Sequence, residues 1–213
     1  MNTDALVAAL ARSATPVDRA AVTRRFWVTL LAAAVLSLGA MLVVLGPRAD
    51  WRAAMDLPMF WVKLAFPAAM AVAAFICLRR LGHPGMRLGG GPVAVTLPAV
   101  VMWLIAAAAL AAAPAPQRAG LVMGTSWWQC VVLISMLALP GFVLGLFAMA
   151  ALAPTRLALS GFMAGLFAGS VAAFAYALSC KEMQPPFLAT WYLLGMLVPA
   201  LAGAAVGRTW LRW

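Results

Sequence analysis

Six stretches of this chain are each long and apolar enough to cross a lipid bilayer, and no other feature restricts the fold as much. They lie at about 26–46, 59–79, 92–113, 128–152, 157–179 and 188–210, and a spanning helix needs about 20 mostly apolar residues. In hydrocarbon every backbone N–H and C=O must find its partner within the segment, so each stretch is read as helix. The expected fold is all-α: a polytopic membrane protein built as a bundle of six transmembrane helices. Composition points the same way, since 66% of the 213 residues are hydrophobic and 9% are charged, too little polar surface to cover a soluble exterior. Two regions follow, a polar N-terminal segment at 1–25 and a six-span membrane domain at 26–213, joined by loops too short to fold alone. The first apolar stretch of spanning length begins only after Arg24-Arg25, so the N-terminus is expected to be retained rather than cleaved as a signal peptide.

Orientation follows from the Lys/Arg bias of short loops. With the N-terminus cytoplasmic, the inner side collects Arg12, Arg19, Arg24, Arg25, Arg79, Arg80, Arg87, Arg156, Arg208 and Arg212, ten in all, against four outside: Arg48, Arg52, Arg118 and Lys181. The expected topology is therefore N-in and C-in. The net charge of +10 reads as a topology signal and as contact with anionic headgroups of the lipid bilayer, not as a direct nucleic-acid footprint.

Ahead of the first span, Thr3-Asp4 precedes Leu6, Val7 and Leu10 at helical spacing, the pattern of a short capped amphipathic helix. Thr15-Pro16-Val17-Asp18 looks like a second start, with an N-cap, a proline at the first helical position and an acid in the first turn. That second helix is expected to run unbroken into the first span. A ten-residue helix is marginal alone in water, so Asp4, Leu6, Val7 and Leu10 are candidates for contact with the inner leaflet or with a protein partner.

Gly161, Gly165 and Gly169 form a small-xxx-small stripe on the fifth span, and Gly141 with Gly145 and Gly203 with Gly207 repeat the spacing, which lets helix backbones approach closely. Pro67, Pro98, Pro140 and Pro199 interrupt four spans, where they either kink the helices or are tolerated within a packed bundle. Trp51, Trp61, Trp127, Trp128, Trp191 and Tyr192 fall near the outer interface, where amphipathic rings settle.

Transport and catalysis find few parts. Lys63 is the one ionisable residue placed inside a span, about a turn from the outer interface, and its stem is expected to snorkel outward. His83, in Leu81-Gly82-His83-Pro84-Gly85, has no second histidine or carboxylate pair beside it, so acid-base and triad chemistry lack their components. Gly89-Gly90-Gly91 lacks the Lys and Ser/Thr of a phosphate loop and reads as a flexible linker. No enzyme activity and no cofactor are expected.

The cysteines carry more. Cys77 falls toward the inner end of the second span and reads as a small packed hydrophobe. Cys130 opens the fourth span and Cys180 closes the fifth. The short Ala153-Pro154-Thr155-Arg156 turn makes these spans antiparallel neighbours, so both cysteines reach the same outer height. An oxidising compartment then permits a disulfide between them, two thiolates suit a soft metal ion with Met183 or Glu182 assisting, and Lys181 next to Cys180 favours a reactive thiolate. A structural bridge, a redox-responsive pair and a metal site (Cys130, Cys180) all remain open.

Trp127-Trp128-Gln129-Cys130, the block Gly161–Gly169, Tyr176-Ala177-Leu178-Ser179-Cys180 with Phe187 and Trp191-Tyr192, and the terminal Leu211-Arg212-Trp213 together resemble the NrsF-like family of membrane anti-sigma factors, the negative regulators of sigma F. Thr3-Asp4-Ala5-Leu6 and Leu57-Pro58-Met59-Phe60-Trp61-Val62-Lys63 fit the same pattern, so the resemblance covers nearly the whole chain. It implies an inner-membrane protein that holds an extracytoplasmic-function sigma factor inactive and releases it under stress, with an outer cysteine pair linked to sensing metals or oxidants, here Cys130 and Cys180. The sigma-binding surface would be the N-terminal segment, aided by the Arg79-to-Gly91 loop. A change in how spans four and five pack would then reach the inner face through the Gly161/Gly165/Gly169 stripe. Rival classes are a small transporter or channel and a membrane scaffold assembled through glycine faces.

Overall fold

The computed structural model describes residues 3, 7, 8, 19–83 and 85–212. Among them the chain is helical with no strand: α1 (Arg19–Val44), α2 (Trp51–Met55), α3 (Pro58–Leu81), α4 (Gly91–Ala112), α5 (Ala115–Met123), α6 (Trp127–Ala150) and α7 (Leu157–Ala177). The last helix, α8 (Pro185–Trp210), starts at Pro185–Phe187, passes through a π-helical turn at Leu188–Tyr192 and continues as Leu193–Trp210. Six of these, α1, α3, α4, α6, α7 and α8, are long and apolar enough to cross a membrane. The run from Arg19 to Val44 is one helix; the expected start at Thr15-Pro16-Val17-Asp18 lies outside the described residues. Prolines open α3, α4, α5 and α8 within their first two positions, where the missing N–H would have had no partner anyway.

Helix α7 is the post of the bundle. It packs against α8, α6, α3 and α1, and 67% of its apolar stretch is buried, against 11% for α4. Small residues explain the difference. A Cβ on Gly161 would fall on the Gly203 carbonyl and one on Gly165 on the Pro199 carbonyl, while at Gly169 it would stand 2.9 Å from the Met196 carbonyl. The stripe therefore brings α7 into backbone contact with α8. The fourth-span neighbour, α6, meets a different face, with Gly141 and Gly145 against Ala168 and Ala164. A relay from spans four and five through Gly161, Gly165 and Gly169 does not match this arrangement, because those glycines face the sixth span.

Three serine hydroxyls inside the long helices are satisfied locally or across helices, while Ser160 Oγ of α7 is buried without a partner. Ser135 donates to the Val131 carbonyl and Ser170 to the Leu166 carbonyl, each four residues back, and Ser37 of α1 donates to the Leu137 carbonyl of α6 at 3.0 Å. Each bond removes a polar group that lipid could not satisfy.

Several connections are more ordered than short loops suggested. The α5 segment is pinned by Trp191, whose Nε1 donates to the Val122 carbonyl at 2.8 Å, and α2 by Trp61, whose Nε1 donates to the Met55 carbonyl at 3.0 Å. Gly89-Gly90-Gly91 is not a free linker. Gly91 begins α4, and a Cβ there would meet the Cys77 sulfur at 2.8 Å.

Candidate functional site

The six helices run back and forth, so the described polar groups gather at two ends. One end holds Arg79, Arg80, His83 and Met86, which with Ile76 line a hollow of about 350 Å³. His83 is exposed there, its Nδ1 2.7 Å from the Arg79 carbonyl, and Arg80 Nη1 donates to the Leu88 carbonyl. The opposite end holds Cys130, Cys180 and two buried cations.

Cys130 lies in the first turn of α6, its N–H donating to the Ser126 carbonyl at 3.0 Å, and its side chain is fully buried. Cys180 follows the last turn of α7 in the non-helical link to α8, its N–H donating to the Tyr176 carbonyl at 2.9 Å, and it is 6% exposed. The two thiols are neighbours, with Tyr176 and Tyr192 beside them. Both are free thiols, as is Cys77. The pair expected from chain order is thus brought together, and no bridge joins it in this structure.

Lys63 departs from expectation. Its side chain does not snorkel outward but turns into the protein, where it is 1% exposed. The ammonium donates to the Cys180 carbonyl at 2.6 Å and to the Glu182 carbonyl at 2.8 Å, and lies 5.7 Å from the centre of the Tyr192 ring. A buried cation is tolerable only when paired or richly hydrogen-bonded, and the link between α7 and α8 supplies the acceptors. Lys181, the cation expected to act on Cys180, is exposed.

Arg48 comes from the link between α1 and α2. Its N–H donates to the Leu178 carbonyl at 3.2 Å, which ties that link to the end of α7. Its Nε and Nη2 grip Asp50 at 2.8 and 2.7 Å. This bidentate pair raises the Arg48 pKa and lowers that of Asp50 to about 2, the hydrogen bonds being the main cause of each shift. The remaining Nη1 is buried without a partner, and the buried Tyr192 hydroxyl lies beside the Cys180 side chain.

Tyr192 reaches this place through the π turn. Widening the helix there leaves carbonyls out of register, and Thr190 Oγ1 donates to the Pro186 carbonyl at 2.8 Å. Such turns often accompany functional sites. On the other side, Gly124 adopts φ +55°, and a Cβ there would also strike the Phe187 ring. Thr125 then donates from its N–H and hydroxyl to Glu182 Oε1 at 2.9 and 2.7 Å.

For a metal ion the donor set is thin. Glu182, an expected helper, has a carboxylate oxygen engaged by Thr125, and among the described residues no three His, Cys, Asp or Glu side chains converge. The two thiols are what the site offers a soft ion. Of the candidate partner-binding residues, Val7 is helical and exposed, while Asp4, Leu6 and Leu10 lie outside the described residues. Lys63, Arg48 and Tyr192 were not singled out as site residues from sequence. A lone lysine inside a span was the available signal for the first of them.

Comparison with known proteins agrees along the whole length. The chain is 41% identical over 213 residues to the probable anti-sigma-F factor NrsF of Azospira oryzae, and 40% identical over 220 aligned positions to the anti-sigma-F factor NrsF of Caulobacter vibrioides, with 100% of each chain covered in both cases. No solved structure matches it. The family model for the negative regulator of sigma F matches residues 10–213, and the chain belongs to that family.

Proposed function

We propose that this chain is an anti-sigma factor of the bacterial inner membrane. It holds an extracytoplasmic-function sigma factor inactive at the cytoplasmic face and releases it when a metal ion or an oxidant modifies Cys130 and Cys180 on the far side. The observation that carries the anti-sigma reading is the full-length similarity to two anti-sigma-F factors. An N-in, C-in orientation is supported by the charges. Arg79, Arg80, Arg87, Arg156, Arg208 and Arg212 collect at the end away from the thiols, against Arg48, Arg52, Arg118 and Lys181 at the thiol end, where Asp50, Asp56 and Glu182 partly offset them, in keeping with the positive-inside rule.

Residues 1–25 are the sigma-binding segment in this reading, with Asp4, Leu6, Val7 and Leu10 as its contact face and 26–213 as the membrane domain. The basic hollow at Arg79, Arg80 and His83 opens at the same end and offers a second contact. No catalytic step and no direct contact with nucleic acid are invoked. Regulation is a shift in partner affinity, and a coupling of about 1–3 kcal/mol changes that affinity roughly 5–150-fold.

The test is gentle extraction of the tagged protein from unstressed native membranes, followed by mass spectrometry of what accompanies it. One sigma factor in stoichiometric amount is expected, lost on deletion of residues 1–14 while the bundle stays folded. The variant with Cys130→Ser and Cys180→Ser should still bind the partner and fail to release it on exposure to metal or oxidant. Recovery of no sigma factor in any mild detergent would overturn the anti-sigma reading, and release by the double variant would end the sensing role.

A further inference from the structure

Two hollows follow one another along the exposed face of α3. One is the basic hollow, which Ile76 lines together with Arg79, Arg80 and His83. The other, about 440 Å³, lies between α1 and α3, with Leu30, Leu31 and Ala34 on one wall, Val72 and Phe75 on the other, and Phe167 of α7 between them. Both walls belong to helices that pack on α7. They touch each other where the Trp27 and Phe75 rings stand 4.5 Å apart. Val72, Ile76, Arg79 and His83 recur at steps of four, three and four, so one helix face carries both hollows.

The mouth of the groove is cationic on both sides. Arg24 lies three residues before Trp27 and Arg79 four after Phe75. Each therefore stands about one turn, roughly 5 Å, beyond the touching rings toward the basic end, and both side chains are exposed. Arg24, Trp27, Leu31 and Ala34 share a face of α1 at steps of three, four and three. The chain has no Asp or Glu between residues 57 and 181, and the one ion pair among the described residues is Arg48 with Asp50 at the opposite end. The balancing anion at this mouth comes from elsewhere.

Depth identifies it. From Arg79 back to Ala71 the groove runs roughly 12 Å along α3, within the roughly 15 Å of hydrocarbon in one leaflet. An apolar groove at that depth is filled by an acyl chain, and the mouth selects the lipid that brings it. Guanidinium groups pair with phosphate, and basic pockets between spanning helices suit anionic headgroups. An acidic segment of a cytoplasmic partner would meet the same cations but has nothing to place between α1 and α3. We propose that α1 and α3 hold an anionic phospholipid, with its phosphate between Arg24 and Arg79 and an acyl chain in the groove over Phe167. Arg80, bonded to the Leu88 carbonyl, and His83 line the space for the headgroup.

The test places the full-length protein in detergent micelles with equimolar phosphatidylglycerol and phosphatidylcholine of the same chains. After gel filtration the lipid left on the protein is counted by mass spectrometry. Phosphatidylglycerol should be enriched about twentyfold, and Arg24→Gln and Arg79→Gln should each lower the enrichment by about fivefold. Arg208→Gln, at the same end but lining neither hollow, should change it by less than about twofold. Ala71→Phe fills the groove and keeps both arginines, so it should lose the retained phosphatidylglycerol. Inorganic phosphate, which has no chain, should displace none. Absence of enrichment, an equal effect of Arg208→Gln, displacement by inorganic phosphate, or undiminished retention in folded Ala71→Phe would overturn the proposal. Should Ala71→Phe not fold, the phosphate competition on the unmodified protein decides it. The lipid count needs no sigma factor, so it stands or falls apart from the anti-sigma reading. A double arginine variant that loses the partner and keeps its phosphatidylglycerol would give these cations to the partner instead.

Discussion

Arg48 and Asp50 are two residues apart and share two hydrogen bonds, yet their surroundings differ sharply. The arginine side chain is 6% exposed and the aspartate 53%. The arginine is therefore the fixed partner, held by its backbone bond to Leu178, and the aspartate closes over it from the solvent side. Because the folded pKa of Asp50 lies near 2, below its ordinary 3.8, the pair's contribution to stability is complete above about pH 3.8 and is lost as the pH falls toward 2. The gap in unfolding midpoint between the protein and Asp50→Asn should then stay flat from neutral to mildly acid pH and close as the pH approaches 2. A gap unchanged at the lowest pH would mean that Asp50 acts through something other than its charge. At this scale the sequence was half legible. Cys130 and Cys180 could be matched in height because a short turn joins their helices. The acceptors of Lys63 lie 117 and 119 residues away, and no local spacing encodes a contact that only tertiary packing creates.

Element spacing was more legible, since apolar length fixes spans and small residues at every fourth position mark a close helix contact. What the spacing could not reveal is which helix takes up the stripe. Gly161 and Gly165 meet backbone carbonyls of α8, and backbone cannot swing aside as a side chain can. Gly161→Ala or Gly165→Ala should separate the helices and cost about 1–3 kcal/mol, the range for overfilling a packed core. A methyl group at Gly39 of α1 would have nothing within 4 Å, so Gly39→Ala should be neutral or gain about 0.5–1 kcal/mol from helix propensity. Equilibrium unfolding in mixed micelles measures both. Equal effects at Gly39 and Gly165 would mean that the α7–α8 contact is looser than its geometry. The π turn had no sequence signal beyond Pro185-Pro186, and it accompanies the seating of Tyr192 beside the thiols.

At the scale of the whole molecule, the α7–α8 contact bears on how an event at the thiols can reach the opposite end. Two helices in backbone contact have little room to slide, so a path through the glycine stripe would have to break the tightest packing in the bundle. Helix α3 offers another route. It carries Lys63 near one end, bonded to the Cys180 and Glu182 carbonyls, and Arg79 and Arg80 near the other. Its 24 residues span roughly 36 Å at 1.5 Å per residue. Bridging Cys130 to Cys180 would draw on the 178–184 link, and Lys63 is the side chain that ties this link to α3. Oxidation should therefore change amide hydrogen exchange in residues 82–90, next to the basic hollow, in the unmodified protein. The same change should be absent in Lys63→Gln, whose two thiols can still be oxidised. If residues 82–90 respond equally with and without Lys63, the tether is not the route. The connection would then have to run through α6, which bears Cys130 and contacts α1 through Ser37 and Leu137.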